Sequence, residues 1–231
     1  MRLRFKPNSS GACSFADFLV VLAVLALLLA VLMPVLARSK SKARKTVCIA
    51  NLGQVSRAIF LYAESSQKTL PAPVSGQSPG VWWWYKEQVK GFIGLKGPST
   101  AQDRVFACPS DRGYSFDDSV RPFSLSAKFD YGSYVFNGVN LPGVPNLAGR
   151  DLGTIVNPAR TLLVMEWTAH APLSWHDSRT GKANYPFYND AQSVVAFVDG
   201  RVDYIKMYYD GMNAAYTRDP IPGYYYNYSG D

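Results

Sequence analysis

The sequence predicts an α+β protein, with one long N-terminal helix packed on an antiparallel β-sheet. Three observations carry that reading. Residues 18–37 form a run of twenty positions without a charged side chain, headed by Asp17. Beyond it, residues 39–66 keep apolar residues at helical spacing, with no proline and Gly53 as the single glycine. Near the C-terminus, Asp199–Gly200 stands between two short apolar runs, the strongest short-range sign of a β-hairpin.

The N-terminal helix comes first. About 20 apolar residues suffice for a helix to cross a bilayer, so residues 13–37 are expected to span or to pack with other spans. Asp17 is then anomalous, because an ionisable group at the edge of lipid costs a few kcal/mol (roughly 2–4 on insertion scales) and calls for a partner. Residues 1–12, MRLRFKPNSSGA, hold Arg2, Arg4 and Lys6 and no acid. A secretory signal peptide carries its small-residue cleavage site after its apolar core; here Gly11 and Ala12 precede the core. A lipoprotein reading of Ala12–Cys13 meets the same objection.

Residues 38–66 should continue the helix as an amphipathic half. Val47, Ala50, Val55, Ala58, Ile59 and Tyr62 recur at spacings of three and four and define one apolar face. Pro71 and Pro73 are expected to close it, and Pro34 marks a place for a kink. At 1.5 Å per residue the whole helix would be about 75–80 Å long.

Residues 67–231 are expected to form one globular α+β domain. Val81, Trp82, Trp83, Trp84 and Tyr85 read as a buried strand or helix in preference to a sugar-stacking surface. Residues 105–108 read as a strand ending in a turn at Pro109–Ser110–Asp111. Residues 131–139 and 161–165 read as strands. Residues 193–198 and 201–205 flank Asp199–Gly200, where a type I′ turn would need positive φ at both central residues.

Charge argues against a nucleic-acid partner. The net charge is +7, but eight cations sit in the leader and just after the apolar run (Arg2, Arg4, Lys6, Arg38, Lys40, Lys42, Arg44 and Lys45). From Thr46 onward Lys/Arg and Asp/Glu balance at sixteen each. No basic patch is needed to explain the pI, and the cations after the span suit lipid headgroups.

The N-terminal residues resemble the class III signal of type IV prepilins and type II secretion pseudopilins. Asp17-Phe-Leu-Val-Val-Leu22 aligns with that family's acid and following aliphatic run. The resemblance places the leader cut between Ala12 and Cys13, by a prepilin peptidase. Ala12, Cys13 and Asp17 stand where the family usually has glycine, phenylalanine and glutamate. Further pieces resemble a pilin-like subgroup ending in an H-X9-DG region: Cys48 with Asn51 and Leu52, residues 106–111 (FACPSD), residues 161–166, and residues 195–202 (VAFVDGRV). The subgroup's histidine falls on Asn189. The resemblance implies an inner-membrane, single-pass subunit with a cytoplasmic leader and a periplasmic domain. It implies polymerisation with other pilin-like subunits on an inner-membrane assembly platform, and Asp17 as the assembly residue opposite the α-amino group of Cys13 in a neighbour.

Chemistry outside that role is sparse. Cys48 and Cys108 would lie in an oxidising compartment and are candidates for a disulfide, with two buried thiols as the alternative. His170 and His176, near Glu166 and Asp177, match no zinc spacing and are expected on the surface or in loops. In the sequence, Cys108 has no nearby histidine to activate it. No enzymatic role and no cofactor are expected; Asp190, Asp199 and Asp203 are the acids that would offer oxygens to calcium, without EF-hand alternation. The tyrosines of residues 204–228 either form a ligand surface or pack the tail across the sheet.

Overall fold

A computed structural model describes residues 15–74, 81–113, 122–139, 141–170, 173–176, 191–208, 219 and 221–231. The chain divides into two compact units, Met1–Lys42 and Ala43–Asp231. Helix α1, Phe15–Ser65, runs through the boundary as one continuous α-helix.

In the first unit every described residue of the apolar run is exposed. The stretch is long and apolar enough to cross a membrane, with a mean hydropathy of 3.2 over its best window. Pro34 lies inside α1. Its missing N–H leaves the Ala30 carbonyl without its helical donor, yet the helical assignment is unbroken.

In the second unit α1 buries Cys48, Leu52, Val55, Ser56, Ala58, Ile59 and Ala63. This face is turned from the one the apolar spacing predicts: Val47 and Ala50 are exposed and Tyr62 is half-buried. The reason is Cys48. Counted as an apolar, bridged side chain, it sets the stripe Cys48–Leu52–Val55–Ile59–Ala63. The helix also stops before the prolines. Gln67 and Lys68 adopt positive φ (53° and 63°), and the Lys68 N–H closes the last turn on the Ala63 carbonyl at 2.8 Å.

The sheet has four antiparallel strands in the order β1-β2-β3-β4. They are β1 Tyr134–Phe136, β2 Leu162–Glu166, β3 Gln192–Phe197 and β4 Val202–Lys206. Tyr134 pairs with Glu166, Val164 with Ala196, and Val194 with Tyr204. Cross-strand partners share a face, so Tyr134, Glu166, Val194 and Tyr204 point to one side. That side meets α1: Tyr134 Oη donates to the Cys48 carbonyl at 3.3 Å, and Lys45 Nζ lies 4.4 Å from the Tyr204 ring centre. β1 and β2 are buried at every position and β3 at all but Gln192, whereas β4, at the edge, is half open.

The aromatic run 82–85 is buried, as a turn leading into the short helix α2, Tyr85–Val89. Trp83 packs on Phe123, Phe129 and Trp167, and its Nε1 donates to the Gly132 carbonyl at 2.7 Å. Tyr85 Oη donates to the Tyr134 carbonyl at 3.2 Å. Trp83, Trp84 and Tyr85 each bury the ring and donate from the polar atom to a backbone carbonyl, the economical use of a large aromatic.

Two local expectations fail. Residues 104–106 form a 3₁₀ turn instead of a strand. The Asp199–Gly200 hairpin forms, but not through type I′. Only Gly200 has positive φ (87°). Gly200 N–H donates to the Phe197 carbonyl (3.0 Å) and Phe197 N–H to the Arg201 carbonyl (2.8 Å). That is a three-residue loop, a type I turn closed by a left-handed glycine.

Candidate functional site

Three regions carry residues that the sequence singles out. The first is the start of α1. Asp17 lies in its first turn and is exposed. A carboxylate in the first turn is favoured by the positive end of the helix dipole, by roughly 0.3–1 kcal/mol. Ala12 and Cys13 lie outside the described residues.

The second is a buried cluster assembled from four segments of the globular unit. Cys48 of α1 and Cys108 are joined by a disulfide, with Cα atoms 4.9 Å apart. Glu166 ends β2, and His176 follows in the 173–176 segment. The ligand-type atoms of Cys48, Cys108, Glu166 and His176 all lie within 4.8 Å of one another, and all four residues are buried.

The local chemistry explains how each arrives. Asn51, one turn beyond Cys48, donates from Nδ2 to the carbonyls of Arg104 and Ala107, both at 3.0 Å. It thereby clamps the segment before Cys108 to the helix. The turn after Cys108 closes through Asp111 N–H to the Cys108 carbonyl (2.9 Å), and Ser110 N–H points at Cys108 Sγ (3.4 Å). Cys108 N–H donates to Ser133 Oγ, which in turn donates to Asp111 Oδ2 at 2.7 Å. Burial raises the Asp111 pKa against the N–H groups that it accepts.

The same turn positions the histidine. Arg112 donates to the Ser174 carbonyl (2.7 Å), and Trp175 Nε1 to the Gly113 carbonyl (2.9 Å). His176 Nε2 then meets Glu166 Oε1 at 2.9 Å, while Glu166 Oε2 accepts Val194 N–H at 2.9 Å. His176 also packs edge-on against Tyr204, with ring centres 5.7 Å apart. His170 is buried as well, its ring tilted against Trp82 with centres 4.3 Å apart, and burial lowers its pKa to about 3. Both histidines lie in loops, one of the two places expected for them, but they are buried and not at the surface. Glu166 pairs with His176. Cys108 gains a histidine neighbour, brought in by a turn and a loop far apart in sequence.

The third region is the β3–β4 hairpin and the tyrosine tail. Asp199 and Asp203 both engage Arg201: Asp203 Oδ2 at 2.7 Å, and Asp199 Oδ2 at 3.9 Å. Asp199 Oδ1 also accepts Arg201 N–H, and Asp203 Oδ1 accepts Tyr204 N–H. These contacts give both acids turn and strand roles. Asp190 lies outside the described residues. Tyr208, Tyr224, Tyr226 and Tyr228 form a chain of edge-to-face contacts, 5.6–5.9 Å between ring centres. Tyr226 and Tyr228 are buried, so part of the tail packs on the domain. A cleft of about 520 Å³ remains between Tyr204, Lys206, Tyr224 and Tyr225.

Comparison with protein-family models, with curated proteins and with solved structures gives no match to this chain.

Proposed function

We propose that this chain is the structural subunit of a type IV pilus-like or type II secretion pseudopilus filament. Prepilin peptidase would remove residues 1–12, and the subunit would polymerise through its N-terminal helix. The observation that supports this most is the division of α1. Its first part exposes an uninterrupted apolar surface headed by Asp17, and its later part is built into a folded domain. A helix exposed all round in its apolar part needs lipid or other copies of itself to cover it.

In this reading the chain sits in a bacterial inner membrane as a single pass, with its C-terminal domain periplasmic. Asp17 neutralises the α-amino group of Cys13 in a neighbouring subunit. Two opposite charges in a helix bundle each lower the cost of burying the other, and so fix the axial register. Its partners are the peptidase, other pilin-like subunits, the inner-membrane assembly platform and lipid.

A second reading, a membrane-anchored binding module that never polymerises, draws on the tyrosine-lined cleft beside β4. In-cell crosslinking separates the two. Pairs of cysteines placed along residues 18–36 of full-length chain, one for each neighbour, should yield a ladder of covalent multimers if the subunit polymerises. A monomer at every position, with the protein membrane-bound, overturns the filament reading and leaves the module. Mass analysis of the mature chain should start at Cys13.

A further inference from the structure

We propose that Cys48, Cys108, Glu166 and His176 form a zinc site in the dithiol state of the protein, and that the disulfide is the metal-free state of the same site.

The four side chains offer two sulfurs, one imidazole nitrogen and one carboxylate oxygen, all within 4.8 Å of one another. Around tetrahedral zinc, with Zn–S near 2.3 Å and Zn–N or Zn–O near 2.0 Å, ligand atoms lie about 3.3–3.8 Å apart. Zinc would draw together ligand atoms that lie up to 4.8 Å apart, once the sulfurs are free to part. Sulfur with imidazole in a four-ligand set selects zinc over calcium or magnesium, which want six or more oxygens.

Three features go beyond what a disulfide asks of its surroundings. A disulfide is well accommodated by apolar neighbours, yet a carboxylate and an imidazole are buried beside this one. Ser110 N–H is aimed at Cys108 Sγ, a donor that suits a thiolate. Glu166 Oε2 is anchored by Val194 N–H, which leaves Oε1 directed into the cluster. This is how outer-shell bonds orient a metal-ligating carboxylate. His176 Nδ1 is buried with no hydrogen-bond partner among the described residues. The ring therefore has a nitrogen still to be satisfied in the disulfide state.

The chemistry balances with a named reductant. A phosphine breaks the S–S bond by supplying two electrons and becomes the phosphine oxide, with its oxygen taken from water. The two thiols formed each lose a proton to solvent as sulfur binds zinc, so uptake is coupled to proton release. Either state ties α1 to the turn at residues 108–111, by one covalent bond or by the metal.

The test uses full-length chain in detergent, with Cys13→Ser to remove the third thiol. After phosphine treatment without oxygen, cobalt(II) is added as a spectroscopic probe and zinc as competitor. The expected result is one cobalt per chain with thiolate-to-cobalt charge-transfer bands and tetrahedral visible bands, displaced by zinc. None should bind to the untreated disulfide form. His176→Gln and Glu166→Gln should each weaken uptake about 100-fold or more, since even outer-shell partners are worth 10–100-fold. Absence of charge-transfer bands in the reduced protein overturns the proposal, as does unchanged affinity in both variants. Should the variants fail to fold, the reduced parent decides. Zinc must protect both Cys48 and Cys108 from alkylation, and unprotected thiols refute the site.

Discussion

Cys48 and Cys108 are 60 residues apart in sequence, with their Cα atoms 4.9 Å apart, and their bond fastens the helix to the domain. A closed loop of that length is worth about 4 kcal/mol in the chain-entropy description. Cys48→Ala with Cys108→Ala should therefore lower the unfolding free energy of the globular unit by about that amount. Denaturant titration followed by tryptophan fluorescence reads it, because Trp82, Trp83, Trp84 and Trp167 all lie in or against the core. An unchanged midpoint would mean that the bridge adds nothing.

Asn51 should add to the hold of the bridge, by a smaller amount. Its side-chain amide serves two carbonyls of the 104–107 segment, Arg104 and Ala107. Asn51→Leu keeps the bulk and removes both donors. One bond is exposed and the other part-buried, so the loss should be about 1–2 kcal/mol, from the ordinary net worth of about 0.5–1.5 kcal/mol per hydrogen bond. The same unfolding experiment checks it. A loss below about 0.5 kcal/mol, the scale of ordinary surface substitutions, would show that water replaces the amide.

Much of this architecture was legible in the chain, and the misses share a cause. The long helix, the strands at residues 162–166, 192–197 and 202–206, and the place of the hairpin follow from periodicity and turn chemistry. The burial of Cys48 was not legible as part of an apolar stripe, so the predicted face was rotated toward Val47 and Ala50. The hairpin's turn type depends on whether Asp199 takes positive φ, and the dipeptide Asp-Gly does not specify that. The meeting of Cys108, Glu166 and His176 rests on Arg112 and Trp175 contacts between distant segments. No local spacing encodes those contacts, which is why the burial of His176 was not legible.

His170 makes the domain acid-sensitive. Burial holds its pKa at about 3 in the folded state, below its ordinary value near 6.5. A depressed folded pKa means that the unfolded chain takes up the proton first. Its contribution is thus complete above pH 6.5 and is lost as pH falls toward 3. Within that window each pH unit costs up to about 1.4 kcal/mol. His170→Phe keeps a ring against Trp82 and Trp167 and removes the titration. Its stability should fall less steeply than the parent's between pH 6.5 and pH 4 in parallel thermal melts. Parallel slopes would place the acid sensitivity elsewhere.

Asp17 should govern assembly without governing the fold. It stands in the first turn of α1, whereas the globular unit begins at Ala43. Asp17→Ala removes at most about 1 kcal/mol of helix-end interaction, and only at that end of the helix. The unfolding midpoint of the domain should therefore be unchanged. Insertion should survive, because alanine makes the apolar run easier to place in lipid. Filament formation should be lost or cripplingly slow, since the α-amino group of the neighbouring Cys13 would enter the bundle without a counter-charge. Asp17→Glu keeps the charge and should restore assembly, which separates electrostatics from shape. Electron microscopy of sheared material and the crosslinking ladder of residues 18–36 give the readout. Normal filaments from Asp17→Ala would remove the charge-pairing mechanism while leaving polymerisation intact. A domain destabilised by the same change would mean that the two parts of α1 are energetically coupled, contrary to their division into separate units.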